Sequence, residues 1–119
     1  MAGAFTPLVL LVCYDRDACW KHPESGKSSG LTDAVIAATH MMLKAASIGL
    51  GTVWISYFDK AKARVLLHLP DNWEISNMIY IGYPAADFVP NRKMSGQRQP
   101  LSHFVWYNML KEENGHDGK

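Results

Sequence analysis

The sequence predicts an α+β domain in which a small mixed or antiparallel sheet packs against one long central helix. Three observations carry that expectation. The run from Pro7 to Tyr14 is continuously apolar and strand-sized. The stretch from Leu31 to Ile48 repeats apolar residues at three- and four-residue steps. A short extended run then lies between Gly51 and Asp59, with helical patterning on either side and almost no slack. A chain of 119 residues with 48% hydrophobic and 19% charged residues suits one folded domain over 1–119. No internal repeat and no second domain are visible in the sequence.

Each element has a local reason. Pro7 at the head of the first strand is where a missing N–H does least harm, and the unbroken apolar run implies a strand covered on both faces. Asp15 to Gly30 holds Pro23, Gly26, Ser28 and Ser29, and reads as a surface loop. Ser29 or Thr32 can cap the long helix, Asp33 suits its positive end, and Gly49 can terminate it. Leu31, Ala34, Val35, Ala38, Met41, Met42, Ala45 and Ile48 form one stripe, while Ile36, Leu43 and further alanines lie off it. After Asp33 only Lys44 is formally charged, so the helix should be buried on nearly all sides. In so small a domain that points to a second copy of the chain covering one face, hence a homodimer. Val53 to Tyr57 reads as a short strand, and Asp59 as the cap of a helix of about ten residues stopped by Pro70. Ile75 to Tyr83 reads as the last strand. Pro100 to Asn108 returns to apolar spacing, as a docked tail or short helix, before a polar end at Lys111 to Lys119.

Composition excludes several function classes. A net charge of +1 gives no electrostatic reason for nucleic acid as partner. No apolar run reaches membrane-spanning length, and the Pro7–Tyr14 run lacks the basic flank of a signal peptide, so no membrane partner is expected. Two cysteines fit a reduced, cytoplasmic chain better than a disulfide scaffold. Cys19 and His22 stand three apart with Cys13 six earlier, and no HxxxH or CxxC pair adds the ligands a metal site needs. His40 beside the apolar stripe reads as a packing or interface histidine. No GxGxxG or GxxxxGK loop is present to cradle a nucleotide's phosphates. Four Trp and five Tyr suit a bulky core, a ligand pocket or an interface.

Three blocks recur in one order. The helix from Asp33 ends in Gly49-Leu50-Gly51. Trp54-Ile55-Ser56-Tyr57-Phe58-Asp59 follows. Ile81-Gly82-Tyr83-Pro84 then precedes a basic residue, Arg98, standing just before Pro100-Leu101 and an aromatic tail. Together these resemble the nitroreductase family of FMN-dependent oxidoreductases, over a span from about Phe5 to Asn108. The resemblance implies FMN as cofactor and a partial nitroreductase-like fold. It also implies two-electron transfer from NAD(P)H, through the flavin, to a small-molecule acceptor such as a nitroaromatic or quinone. It places Trp54, Ile55, Ser56 and Tyr57 in the turn over one face of the flavin, with the Ser56 N–H nearest ring atom N5. It gives Arg98 the FMN phosphate, which a guanidinium suits by charge-assisted, bidentate bonding. Arg92 and Lys93 read as a solvated basic loop, and Gly49 and Gly51 as structural. No residue is implied as a general acid or base.

Family members carry an Arg-Arg-Ser-x-Arg type segment that grips FMN near the N-terminus, and nothing before Pro7 matches it. The chain therefore looks like the C-terminal half to two-thirds of such a protein, and weaker FMN binding than in a full-length relative is expected. The alternative reading is a catalytically silent dimerisation or small-ligand-binding module.

Overall fold

A computed structural model describes residues 8–108 and residue 110. Pro7 and the polar end from Lys111 lie outside the described residues. The chain forms two compact units, Met1–Ala86 and Asp87–Lys119, each described by itself. In the first, β1 (Leu8–Asp15), α1 (Gly30–Ser47), β2 (Gly51–Ile55), α2 (Lys60–Leu66) and β3 (Trp73–Gly82) follow in order. The strands make one sheet in the order β1-β3-β2. Both outer strands run antiparallel to β3, so β1 and β2 run in the same direction and α1 carries the chain across between them. The fold is thus α+β, with an all-antiparallel sheet, as one of the two alternatives left open by the sequence.

Register sets the core. Leu10, Ile79 and Trp54 pair across the three strands as one row, flanked by the row Leu8, Ile81 and Thr52. Ala34, Ala38 and Ala45 of α1 are buried, and Ala34 and Ala38 meet buried Val12 and Ile79, with Leu10, Tyr14, Met42, Trp54 and Ile81 packed around them. Ala38 and Ile79 are both fully buried. The helix therefore approaches the sheet along its smallest side chains. Within one chain only this side of the helix is covered. Ile36 and Leu43 face away, at 50% and 65% exposed, and Ile48 at the C-cap is 60% exposed. β1 is likewise not covered on both faces, because α1 lies on one face only. Val9 and Val53, in the opposite row with Tyr80, are exposed.

The ends of α1 are tightly specified. Ser29 is the N-cap, yet its hydroxyl donates to Asp33 Oδ2 at 2.6 Å instead of accepting a backbone N–H. At the other end the Gly49 N–H donates to Ala46 O at 3.1 Å and the Leu50 N–H to Ala45 O at 2.9 Å. With Gly49 at φ 81°, this is a Schellman closure, for which glycine has no Cβ penalty.

The bounds of three elements differ from expectation. β2 is Gly51–Ile55 rather than Val53 to Tyr57, because its pairing with β3 runs from Gly51 opposite Gly82 to Ile55 opposite Met78. β3 begins at Trp73, not Ile75, because Trp73 and Glu74 pair with Asp15 and Tyr14 beyond an irregularity at Val12/Cys13. Ser76 and Asn77 are buried there, and the Ser76 hydroxyl donates to Asn77 Oδ1 at 2.9 Å. α2 ends at Leu66, short of Pro70, since His68 turns to φ 50°. In the second unit, α3 (Arg92–Ser95) and one 3-10 turn at Leu101–His103 are the only helices among the described residues. No described helix is long and apolar enough to cross a membrane.

Gly30 tests the close approach of α1 to β1. It is buried, and a Cβ there would overlap the Tyr14 ring. Alanine would gain up to about 1 kcal/mol in helix propensity, whereas overpacking costs about 1–3 kcal/mol. Gly30→Ala is expected to lower the urea midpoint. A raised midpoint would contradict the tight contact.

Candidate functional site

The candidate site lies where β2 ends. Gly51 opens the strand, and its Cβ position lies 3.5 Å from Pro84 and 3.6 Å from the Gly82 carbonyl, so the strand leaves the helix turn closely packed. Alternation then separates the next residues. Trp54 points to the α1 side and packs against the core, while Ile55 pairs with Met78 on the row that faces away. Beyond Ile55 the ladder stops. Ser56 is exposed, Tyr57 is fully exposed, Phe58 is half-buried, and Asp59 starts α2.

Two hydrogen bonds shape this turn. The Trp54 Nε1–H donates to Ser56 Oγ at 2.8 Å, so the indole braces the turn from the core side. Asp59 Oδ1 accepts the Lys62 N–H at 2.9 Å, a helix cap that also ends the turn. Among the described residues, no turn or loop hydrogen bond takes the Ser56 or Tyr57 amide N–H. The turn therefore holds two exposed residues whose amides take no turn or loop partner, between a strand and a capped helix. Such an arrangement can bind the edge of a flat, hydrogen-bonding ring.

The predicted site residues fall in two places. Trp54, Ile55, Ser56 and Tyr57 are consecutive in the first unit, with Trp54 as a buttress and Ser56 and Tyr57 outward. Arg98 belongs to the second unit and is exposed.

The loop before α1 is more ordered than its polar composition suggests. Lys21 and Ser28 bridge, the His22 N–H donates to Lys27 O at 2.8 Å, and His22 Nδ1 accepts the amides of Glu24 and Ser25 at 3.2 Å each. His22 thus works as a turn cap. Among the described residues no group of three or more His, Cys, Asp or Glu is placed to hold a metal ion.

Charge concentrates at the far end of β1. Asp15 Oδ1 accepts the Asp17 N–H at 2.8 Å, the Asn72 side chain at 2.8 Å and the Ala18 N–H at 3.3 Å. These donors, the Asp17 amide first, hold its carboxyl below the usual range. Burial pushes the Cys13 thiol up, opposed by the nearby Arg64 charge. Arg64, missed by sequence reasoning, donates to Pro70 O at 2.9 Å and to Trp73 O, and its guanidinium lies 4.0 Å from Glu74 Oε2. In a run reading Lys-Ala-Lys-Ala-Arg, nothing distinguishes it from its solvated neighbours.

The geometry agrees with what the chain resembles. The model of the nitroreductase family matches residues 6–83, which include the Ser56–Tyr57 turn. A nitroreductase family protein from Clostridium difficile 630 matches with a TM-score of 0.80 and 38% identity, over 89% of this chain and 62% of that one. A nitroreductase family protein from Clostridium novyi NT matches at 0.62 and 30%, over 68% of this chain and 44% of that one. An oxidoreductase containing FMN matches at 0.64 and 16%, over 87% and 55%, a likeness of fold alone. The chain thus spans less than two-thirds of the length of these structures. No curated protein matches it.

Removing the cap that ends the turn, by Asp59→Ala, is expected to destabilise by about 1 kcal/mol in denaturant titration, from the loss of one N-terminal acceptor. An unchanged midpoint would show that the cap does not hold α2. Asp15 predicts an acid dependence. Its folded carboxyl titrates below its unfolded value, so its stabilisation is present above the unfolded pKa and is lost as pH falls through the folded one. Asp15→Asn should flatten the loss of stability in that acid window, and an identical acid profile would contradict the assignment.

Proposed function

The chain belongs to the nitroreductase family, and on that premise we propose that it acts as a flavin-dependent oxidoreductase. It would hold FMN at the Ser56–Tyr57 turn and serve electron transfer from NAD(P)H to a nitroaromatic, quinone or similar small acceptor. The observation that carries this reading is the turn itself: two exposed residues whose amides take no turn or loop partner among the described residues, an aromatic neighbour, and support from both sides.

The residues fit the group. The Ser56 N–H is a donor suited to ring atom N5, and the turn backbone with Ile55 and Tyr57 gives the ring a wall. For Arg98, which lies in the second unit, the role of phosphate cation is proposed from the family resemblance alone. Bound FMN supplies the two-electron chemistry. The chain's own work is to orient the ring, bias its potential through the Ser56 hydrogen bond, and leave one face open to the two reactants in turn. No side chain need move a proton as a dedicated acid or base.

Homodimer formation belongs to the same proposal. Ile36 and Leu43 are exposed on the side of α1 away from the sheet, with Leu31 exposed near its start and Ile48 at its C-cap, apolar surface of the kind that marks association. Covering several hundred Å² of it with a second copy would favour association by several kcal/mol, at roughly 25 cal/mol per Å² before docking entropy is subtracted. We place the reaction in the cytoplasm, where the free thiols of Cys13 and Cys19 stay reduced.

Flavin fluorescence titration tests the cofactor. FMN is expected to bind, Arg98→Ala to weaken it by about 10–100-fold as one charge-assisted contact is lost, and Ser56→Pro to shift the potential of bound flavin. FMN bound equally by Arg98→Ala would remove that residue from the site. A chain that neither binds FMN nor oxidises NAD(P)H with a quinone would favour the silent binding module. For the dimer, Leu43→Glu is expected to give monomers in sedimentation at micromolar concentration. A monomeric parent chain would overturn the association.

A further inference from the structure

α2 poses a physical problem. It has seven residues, none buried, and Val65, Leu66 and Leu67 around its end are exposed. So short a helix does not hold itself together in water, and apolar burial does not hold it here. What ties it to the sheet is Arg64. One guanidinium nitrogen donates to Pro70 O at 2.9 Å, and the other donates to Trp73 O and lies 4.0 Å from Glu74 Oε2. Trp73 and Glu74 are the first residues of β3, paired with Asp15 and Tyr14 of β1. Glu74 Oε1 in turn accepts Arg16 Nη1 at 2.7 Å. Asn72, just before β3, is itself held: its carbonyl accepts the Arg16 N–H at 2.8 Å and its side chain donates to Asp15. The Arg64 anchor therefore ends on a rigid part of the sheet.

The other end of α2 is the Asp59 cap, and only Ser56, Tyr57 and Phe58 separate it from β2. The turn is strung between a ladder and a helix whose side-chain tie to the sheet frame is one guanidinium. We propose that Arg64 is a positioning residue for the Ser56–Tyr57 turn, holding α2 so that the turn's backbone donors keep their direction. Its consequence for FMN rests on the flavin reading above. The planar fork suits two backbone carbonyls at once, a geometry that a lysine's point charge does not reproduce.

NMR of the full chain tests this without cofactor. The Trp54 indole N–H, bonded to Ser56 Oγ, reports the turn, and the Lys62 amide, bonded to Asp59, reports the helix cap. In Arg64→Met, which keeps the stem and removes the donors, both protons are expected to exchange with solvent about tenfold faster, as for one lost charge-assisted bond. Exchange at Val12 and Ile79 in the ladder should not change, and Arg64→Lys should recover part of the protection. Glu74→Gln should have a smaller effect, since a contact at 4.0 Å with a 38% exposed carboxylate is screened. Unchanged exchange at Trp54 and Lys62 in Arg64→Met would overturn the proposal. So would uniform acceleration that includes Val12 and Ile79. FMN affinity is the second arm: Arg64→Met should weaken it about tenfold, and parental affinity with a loosened turn would break the link to the flavin. If the parent binds no FMN, the flavin reading fails, and the exchange rates still decide whether Arg64 positions the turn.

Discussion

The contact on which the rest of the structure depends is that between the small-residue ridge of α1 and the row Leu10, Ile79, Trp54. Gly30, Ala34, Ala38 and Ala45 let the helix axis come close to the sheet, and Tyr14 fills the space that a larger residue at position 30 would need. That contact covers one face of a three-stranded sheet and no more. It accounts for the burial of Ile79, and for Trp54 being drawn inward. Large apolar residues are left on the far side of the helix. The same geometry that builds the core therefore also leaves Ile36, Leu43 and Ile48 exposed on sides that the sheet does not cover.

The candidate turn inherits its placement from this arrangement in steps. The Schellman closure at Gly49 reverses the chain directly into β2. Pairing with β3 fixes β2 up to Ile55. Trp54, anchored in the core, braces Ser56 through its indole, and the Asp59 cap closes the far side. Polar anchors at the other end of the sheet complete the support. Each step is local, yet the outcome is a pair of exposed residues, Ser56 and Tyr57, at a defined position.

Most of the fold was legible because it is written in local signals. The β1 run, the α1 periodicity, Gly49 and the Asp59 cap each mark their element within a residue or two. The resemblance that led to Ser56 and Tyr57 rested on three blocks in order, of which 49–59 carries the densest backbone constraints. What was not legible depended on distance. The stripe on α1 held Ala34, Ala38 and Ala45, which face the sheet, but did not disclose that its larger members Leu31, Met41 and Ile48 stay exposed. Trp73 and Glu74, the start of β3, follow directly on Pro70, Asp71 and Asn72, turn residues that masked the strand's beginning. His68, a non-glycine at positive φ, ended α2 without a sequence signal. Arg64 could not be singled out, since its partners are backbone carbonyls that any sequence supplies.

The central claim is that the Ser56–Tyr57 turn is where this chain meets flavin. Amide chemical-shift mapping of the full chain during titration with FMN tests it most directly. The account predicts the largest shifts at the Ser56 and Tyr57 amides and at the Trp54 indole N–H, with little change in the Lys21–Ser28 bridge region. Shifts centred elsewhere, with Ser56 and Tyr57 unmoved, would contradict it.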